Sequence, residues 1–141
     1  MPSNPAMLEW NEGFAIGHPE IDDQHRQLFE VYNAAVRMLA GGASAPEAAT
    51  ILTAIMDYAD YHFATEQSAM ASAGFPHLKA HIHEHDALRA TVTALVSRID
   101  GDPCLLSGLV GLLRVWIQGH ILHSDAEFGL FLKARPAQSP A

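Results

Sequence analysis

The spacing of apolar residues is the feature that most restricts the folds open to this chain. After about residue 20, apolar side chains recur at three- and four-residue steps, as in the series Ile21, Leu28, Phe29, Tyr32, Val36 and Leu39. Alternating runs of β-branched residues, which would indicate strands, are absent from the sequence. Because such steps place apolar side chains on one face of a helix, the pattern predicts an all-α protein.

Turn-forming residues divide this pattern into four predicted helices. Gly41 and Gly42 end helix A, Ser44 opens helix B, and Asp102 is expected to cap helix D, with Pro103 as its first residue. The expected ranges are 21–40, 44–74, 77–99 and 103–133. Short loops between long helices predict an up-down-up-down four-helix bundle.

The sequence outside these helices is expected to contribute two terminal segments to a single domain, residues 1–141. Residues 1–20 are predicted to form an extended N-terminal arm, anchored on the bundle (21–133) by Trp10, Phe14 and Ile16. Residues 134–141, rich in Pro and Ala, are predicted to be a mobile tail.

Charge and cysteine content narrow the class of protein. The net charge of -8 disfavours nucleic acid and anionic membranes as partners. Cys104 is the single cysteine, and the first ten residues lack the features of a secretory signal. Polar residues or Gly interrupt the apolar stretches before the roughly 18 residues that a membrane span needs. We therefore expect a cytoplasmic protein, as a monomer, with a dimer left open.

Nine histidines are more than a helical core requires, and helix geometry sorts them. His62 and Glu66 are four residues apart and share a helix face, as do His81 and His85, whereas His83 points away from that face. His120 and Asp125 are five residues apart, about 140° around an α-helix, so they would converge only on something wide, such as two metal ions. Taken alone, a His-Glu pair at this spacing is usually a surface hydrogen bond.

Register within the bundle supports a shared site. In an antiparallel helix pair, residues at equal distance from the turn lie at the same height. The midpoint between the His62/Glu66 pair and the His81/His85 pair falls at residues 73–74, the predicted turn between helices B and C. The same counting places His25 and His120 at this height across the other two turns. Pairing His77 with His81 would miss the turn, so His77 is expected to be exposed. His83, which points away from the shared face, is expected to face solvent or a helix neighbour. His18 and His123 match no partner in the layer and are expected to be structural or surface residues.

The resulting layer holds five imidazoles and two carboxylates, the side chains of His25, His62, Glu66, His81, His85, His120 and Asp125. Such ligands suit iron, manganese, zinc or nickel better than copper(I). Since a zinc site usually needs about four ligands, seven indicate two metal ions. The Glu-x-x-His motif of ferritin-like di-iron proteins is absent.

Several motifs in order resemble those of the hemerythrin family, particularly its bacterial single-domain members. They are the segments "EIDDQH" ending at His25, "HFATE" from His62 to Glu66, "GFP....H...H" from Gly74 to His85, and "WIQGHILHSD" ending at Asp125. A preceding "W...F.IG" segment, from Trp10 to Gly17, extends the similarity over nearly the whole chain.

This resemblance implies a di-iron cofactor and dioxygen as its ligand. One iron would take His81, His85 and His120, the other His25 and His62. Glu66, Asp125 and an oxo or hydroxo group would bridge them, so that the second iron keeps one open position. The family pattern implies an apolar ligand pocket around that position, lined by Leu28, Phe63, Trp116, Ile117 and Ile121; each is also an ordinary core residue.

The expected function is reversible dioxygen binding for transport or storage, and the protein is not expected to be an enzyme. Two alternatives stay open: a di-iron enzyme that reduces nitric oxide or peroxide, with His123 or Gln118 as a proton route, and an oxygen or iron sensor that acts through a partner. Gln67 replaces a glutamate common in relatives, and Ile117 a leucine. Oxygen affinity and autoxidation rate are therefore left open.

Overall fold

The computed structural model describes residues 7–102 and 104–135, which form the expected four-helix bundle. Its helices are α1 (Pro19–Ala40), α2 (Ala45–Ala73), α3 (Leu78–Val96) and α4 (Leu105–Gly119), which continues through a π-helical segment (His120–Asp125) into α5 (Ala126–Ala134). Helices that follow each other in sequence pack together, α1 on α2, α2 on α3 and α3 on α4. No strand occurs within the described ranges. The all-α prediction is confirmed.

Local capping interactions set most of the helix ends. The Ser44 hydroxyl accepts a hydrogen bond from the Glu47 amide (3.3 Å), and the Glu47 carboxylate accepts one from the Ser44 amide (3.1 Å). At the other end of α2, Gly74 adopts a φ of 71°, which glycine tolerates without strain. Helix α1 begins earlier than predicted, at Pro19, because the His18 imidazole caps it by accepting from the Ile21 amide (3.2 Å).

The predicted start of the fourth helix is wrong. Helix α4 begins at Leu105 after Cys104, and no side chain among the described residues caps it. Asp102 uses its carbonyl oxygen instead, which accepts from the Leu105 amide (3.0 Å) in a turn. Pro103, residues 1–6 of the arm and residues 136–141 of the predicted tail lie outside the described residues. Helix α3 ends at Val96, and turn-type hydrogen bonds continue to Ile99.

The described part of the N-terminal arm is fastened to α1 by aromatic and polar contacts. Phe14 packs edge-on against Phe29, with ring centroids 5.0 Å apart, and Trp10 contacts both rings. The Asn33 amide exchanges two hydrogen bonds with the Leu8 backbone, at 2.8 and 2.7 Å. The Asp22 carboxylate accepts from the amide of Ile16 (2.8 Å). The arm is therefore part of the folded unit, as its apolar residues predict.

The core is divided into two apolar clusters. The larger one fills the bundle beside the loop between α1 and α2, and the smaller one, Ile16, Ile21, Met70, Phe75 and Phe128, lies at the end that carries the turn between α2 and α3. The predicted metal ligands lie where the two clusters adjoin, although Phe63 and Ile121 of the larger cluster are interspersed among them in the sequence. The polar layer is thus enclosed by apolar packing on both sides.

The fourth helical stretch is unusually apolar. Leu105–Ala134 spans 30 residues and contains an 18-residue window with a mean hydropathy of 1.4, so it is long and apolar enough to cross a membrane by length and composition alone. This finding differs from the expectation that polar residues or Gly interrupt every apolar stretch before it is long enough to span a membrane. Leu112, Val115 and Leu122 are exposed on its outer face, whereas His120 and Asp125 are buried on its inner face. A helix of a water-soluble bundle can pass the same test, so the absence of a membrane partner stays a prediction.

Substitution of Gly129 on α5 tests the contact between α5 and Ile16 of the N-terminal arm. A Cβ atom there would lie 3.0 Å from the Ile16 Cβ and still closer to the Ile16 carbonyl oxygen. We expect Gly129→Ala to destabilise the protein by about 1–3 kcal/mol, because the arm must shift. Gly111→Ala is the matched control in open space on α4, and it should stabilise by about 0.5–1 kcal/mol through helix propensity. Urea unfolding measures both, and equal effects would contradict this account.

Candidate metal centre

All seven predicted ligands meet in one buried layer. Their relative exposure is 7% or less, and for Glu66, Asp125, His25 and His85 it is 0%. Potential ligand atoms in the layer form two groups that share Glu66, each with its atoms within 4.8 Å of one another. The groups are Glu66, His81, His85 and His120, and His25, His62, Glu66 and Asp125. The residues that helix register predicts at one height therefore lie together in the structure.

Glu66 divides its two carboxylate oxygens between the groups. Oε2 lies 2.6 Å from His62 Nε2 and 3.1 Å from His25 Nε2. Oε1 lies 2.6 Å from His81 Nε2 and 3.2 Å from His85 Nε2. A carboxylate in this position can offer one oxygen to each of two metal ions.

The two carboxylate oxygens of Asp125 also face different groups. Its Oδ2 lies 3.0 Å from His25 Nε2, while its Oδ1 lies 3.0 Å from His81 Nε2 and 3.2 Å from His120 Nε2. Although both oxygens are buried, neither has a hydrogen-bond partner of good geometry within the described part of the chain. Buried carboxylate oxygens without such partners are costly, and metal coordination is one way to satisfy them.

The π-helical segment brings His120 and Asp125 together. In an α-helix, two residues five apart point about 140° away from each other, which is the geometry assumed from the sequence. A π-helix has wider turns with i→i+5 hydrogen bonds, so residues five apart lie on nearly the same face. The local α-helical assumption was therefore wrong, and no wide site is needed to make His120 and Asp125 converge.

The spacing of the ring nitrogens fits a metal ion better than a hydrogen-bond network. His120 Nε2 lies 3.0 Å from His85 Nε2 and 3.1 Å from His81 Nε2. Ligands at right angles and about 2.1 Å from one metal would lie about 3.0 Å apart. Three Nε2 atoms facing one point cannot all be satisfied by one another, because each pair needs one protonated partner. The residues present therefore fit a metal ion in each group.

Without a metal, protons take over part of its role. Burial alone lowers the pKa of His25, His81 and His120, but the close contacts and charge interactions of these imidazoles with Asp125 and Glu66 outweigh burial. The pKa rises to about 9 for His25 and His81 and to about 10 for His120. Burial raises the pKa of each carboxyl, and the neighbouring imidazoles outweigh it, so both pKa values lie below their ordinary range.

Three outer side chains orient the imidazoles, each from the preceding helix. Gln24 Oε1 on α1 lies 2.8 Å from His62 Nδ1 on α2, and Gln67 Oε1 on α2 lies 2.9 Å from His85 Nδ1 on α3. Glu84 Oε2 on α3 lies 3.1 Å from His120 Nδ1 in the π segment. Each contact directs Nε2 toward the shared centre. None of these three contacts was predicted from the sequence, where the one feature that could have indicated them is that each residue adjoins a different predicted ligand.

Aromatic rings pack on two of these imidazoles. Phe63 stacks on His85, with centroids 3.7 Å apart and 6° between the planes, and Trp116 stacks on His120 at 4.3 Å and 11°. Leu28, Phe63, Ile117 and Ile121 are each 4% exposed or less and Trp116 is partly buried, all within the larger core cluster. Their role as a dioxygen pocket stays a prediction.

The four remaining histidines lie outside the layer. His18 caps α1, whereas His77, His83 and His123 are exposed. His77 Nε2 lies 3.6 Å from Glu127 Oε1, with both side chains more than half exposed. The structural and surface interpretations of these residues agree with this placement.

Fold and site together define a helical-bundle protein with a paired site for metal ions. The family model described as the hemerythrin HHE cation binding domain matches residues 17–131, most of the chain. The chain belongs to the hemerythrin family.

Curated relatives and solved structures agree with this assignment. Bacteriohemerythrin of Clostridium acetobutylicum is 31% identical over 127 residues, which cover 86% of this chain and 98% of the relative. Bacteriohemerythrin of Stenotrophomonas maltophilia is 29% identical over 92% of this chain and 84% of the relative. A crystal structure of a hemerythrin mutant superposes with a TM-score of 0.75 at 27% identity, covering 90% of this chain and 98% of that one.

Metal removal should reverse the pH dependence of stability. In the metal-free protein, the raised pKa values of His25, His81 and His120 contribute stability that is complete below about pH 6.5 and is lost as the pH rises through 9 to 10. A bound metal requires deprotonated imidazoles, so the loaded protein should gain stability over the same range. Urea unfolding between about pH 6 and 9 compares the two forms; slopes of the same sign would contradict this linkage.

Proposed function

We propose that this protein binds dioxygen reversibly at a di-iron centre, as a carrier or store. The observation that carries the proposal is the unequal division of imidazoles around two shared carboxylates. Three Nε2 atoms face one group of carboxylate oxygens, and two face the other. A metal in the second group therefore has one protein ligand fewer, which leaves a position for an external ligand.

In this proposal each ligand has a distinct role. His81, His85 and His120 would hold the first iron and His25 and His62 the second, while Glu66 and Asp125, together with an oxo or hydroxo group, would be shared by both. When bound, the iron pair supplies two electrons to dioxygen and recovers them on release. The division of both carboxylates supports this assignment, because each offers one oxygen atom to each group.

The apolar surroundings support release of dioxygen rather than its further reduction. Phe63, Ile117 and Ile121 are 2–3% exposed, and Leu28 is 4% exposed, so these side chains exclude water from the interior beside the layer. Reversible binding requires that protons do not reach the reduced ligand, and an apolar enclosure limits their supply. Trp116 completes the predicted pocket from α4.

The position of the groove that contains His123, one of the residues considered for proton delivery, does not favour a reductase. A groove of about 430 Å³ is lined by His83, Glu84, His123 and the edge of His120, so solvent approaches the three-imidazole group. The open position is proposed on the other group, which carries His25 and His62. We therefore favour oxygen binding over nitric oxide or peroxide reduction. A cytoplasmic location and a monomeric state complete the proposal.

Oxygen cycling tests the proposed function. The iron-loaded protein, reduced anaerobically, should change from colourless to coloured on exposure to air and return when oxygen is removed. Repeated visible spectra measure the fraction recovered in each cycle. Immediate and irreversible conversion to the diferric state would contradict carriage and favour the reductase alternative. A content of one metal ion per chain would contradict the paired centre itself.

Substitutions within one helix test the ligand assignment. His81→Ala or His85→Ala should lower iron affinity by more than the roughly 10–100-fold that loss of an outer contact costs, because a direct ligand is removed. His77→Ala and His83→Ala are matched controls from the same stretch, and both residues are exposed. Iron per chain and oxygen-dependent absorbance are the measurements. Loss of iron in either control, or its retention in both ligand variants, would refute the assignment.

A further inference from the structure

Glu84 contacts the site from outside, and its contacts are specific. One carboxylate oxygen, Oε2, lies 3.1 Å from His120 Nδ1. The other, Oε1, accepts a hydrogen bond from the Ser124 hydroxyl at 3.0 Å. Both oxygens thus face the π-helical segment, and the carboxylate joins α3 to the segment that carries two of the predicted ligands. Its side chain is 45% exposed, whereas that of His120 is 5% exposed.

Glu84 differs in charge from the two residues that hold equivalent positions. His62 and His85 are oriented by the amide oxygens of Gln24 and Gln67, which are neutral. A hydrogen bond from Nδ1–H to a carboxylate is roughly twice as strong as one to a neutral acceptor. It also makes the opposite nitrogen, Nε2, a stronger donor toward a metal. The only charged partner among these three therefore acts on the three-imidazole group.

We infer that Glu84 is a positioning residue that makes the three-imidazole group the tighter-binding half of the centre. It holds His120 in the tautomer that leaves Nε2 free for a metal, and its negative charge favours the more oxidised ion there. This inference rests on the proposed di-metal centre. It adds an order of filling, in which the group of His81, His85 and His120 takes the first ion.

Stepwise metal titration tests the inference without relying on oxygen binding. Anaerobic Co²⁺ titration of the metal-free protein against a chelator should resolve a tighter and a weaker step. Glu84→Gln keeps an acceptor and removes the charge, so it should weaken the tighter step about tenfold and leave the weaker step nearly unchanged. Glu84→Ala also removes the hydrogen bond and should weaken that step further, by up to about 100-fold.

Two further variants distinguish the effect of a charge beside a predicted ligand from the effect of a charge elsewhere on the surface. Gln67→Glu gives His85 a charged partner and should tighten the same step by up to about tenfold. Glu30→Gln removes an exposed negative charge on α1 and should change neither step. Far-ultraviolet circular dichroism confirms that each variant is folded, as expected for a partly exposed side chain.

The reduction potential provides a second measurement. Loss of the Glu84 charge should raise the potential of the iron-loaded protein, and a tenfold change in preference between oxidation states corresponds to about 59 mV for one electron. Equal weakening of both Co²⁺ steps, or an unchanged tighter step in Glu84→Gln, would overturn the inference while the paired centre stands. A parent protein that binds no Co²⁺ would instead overturn the proposed centre, and this inference with it.

Discussion

The structure depends on two buried carboxylates shared among five imidazoles. Glu66 and Asp125 are fully buried, and an isolated carboxylate in such a place would cost several kcal/mol. Each of their four oxygens lies within 3.2 Å of at least one imidazole nitrogen. Because these nitrogens come from α1, α2, α3 and the π segment, the charges are compensated only when all four helical stretches are in register. Packing of the two apolar clusters maintains that register.

This arrangement links metal binding to folding. The same nitrogens and oxygens can be satisfied by protons or by metal ions, and the raised pKa values of His25, His81 and His120 reflect how the two carboxylates stabilise protonated imidazoles in the metal-free state. A metal ion bound in either group would replace those protons and retain the compensation of charge.

Three of the imidazoles are oriented by side chains on the helix that precedes their own. Gln24, Gln67 and Glu84 each contact a ligand on the helical stretch that follows their own. Three of the five imidazoles are therefore oriented by a neighbouring helix. His25 on α1 differs from these three, because its Nδ1 has no hydrogen-bond partner among the described residues. In the proposed centre, the two halves differ in these contacts as well as in the number of imidazoles.

The sequence by itself determined the four helices and the height at which the seven predicted ligands meet, because apolar periodicity and turn positions are local properties that fix register in a bundle. It also separated His81 and His85 from the exposed His77 and His83. Tertiary structure alone decided the π-helical turn that joins His120 to Asp125 and the partners of the imidazole Nδ1 atoms. Both depend on packing between helices distant in sequence, where the energy of satisfying buried charge outweighs local helix preference.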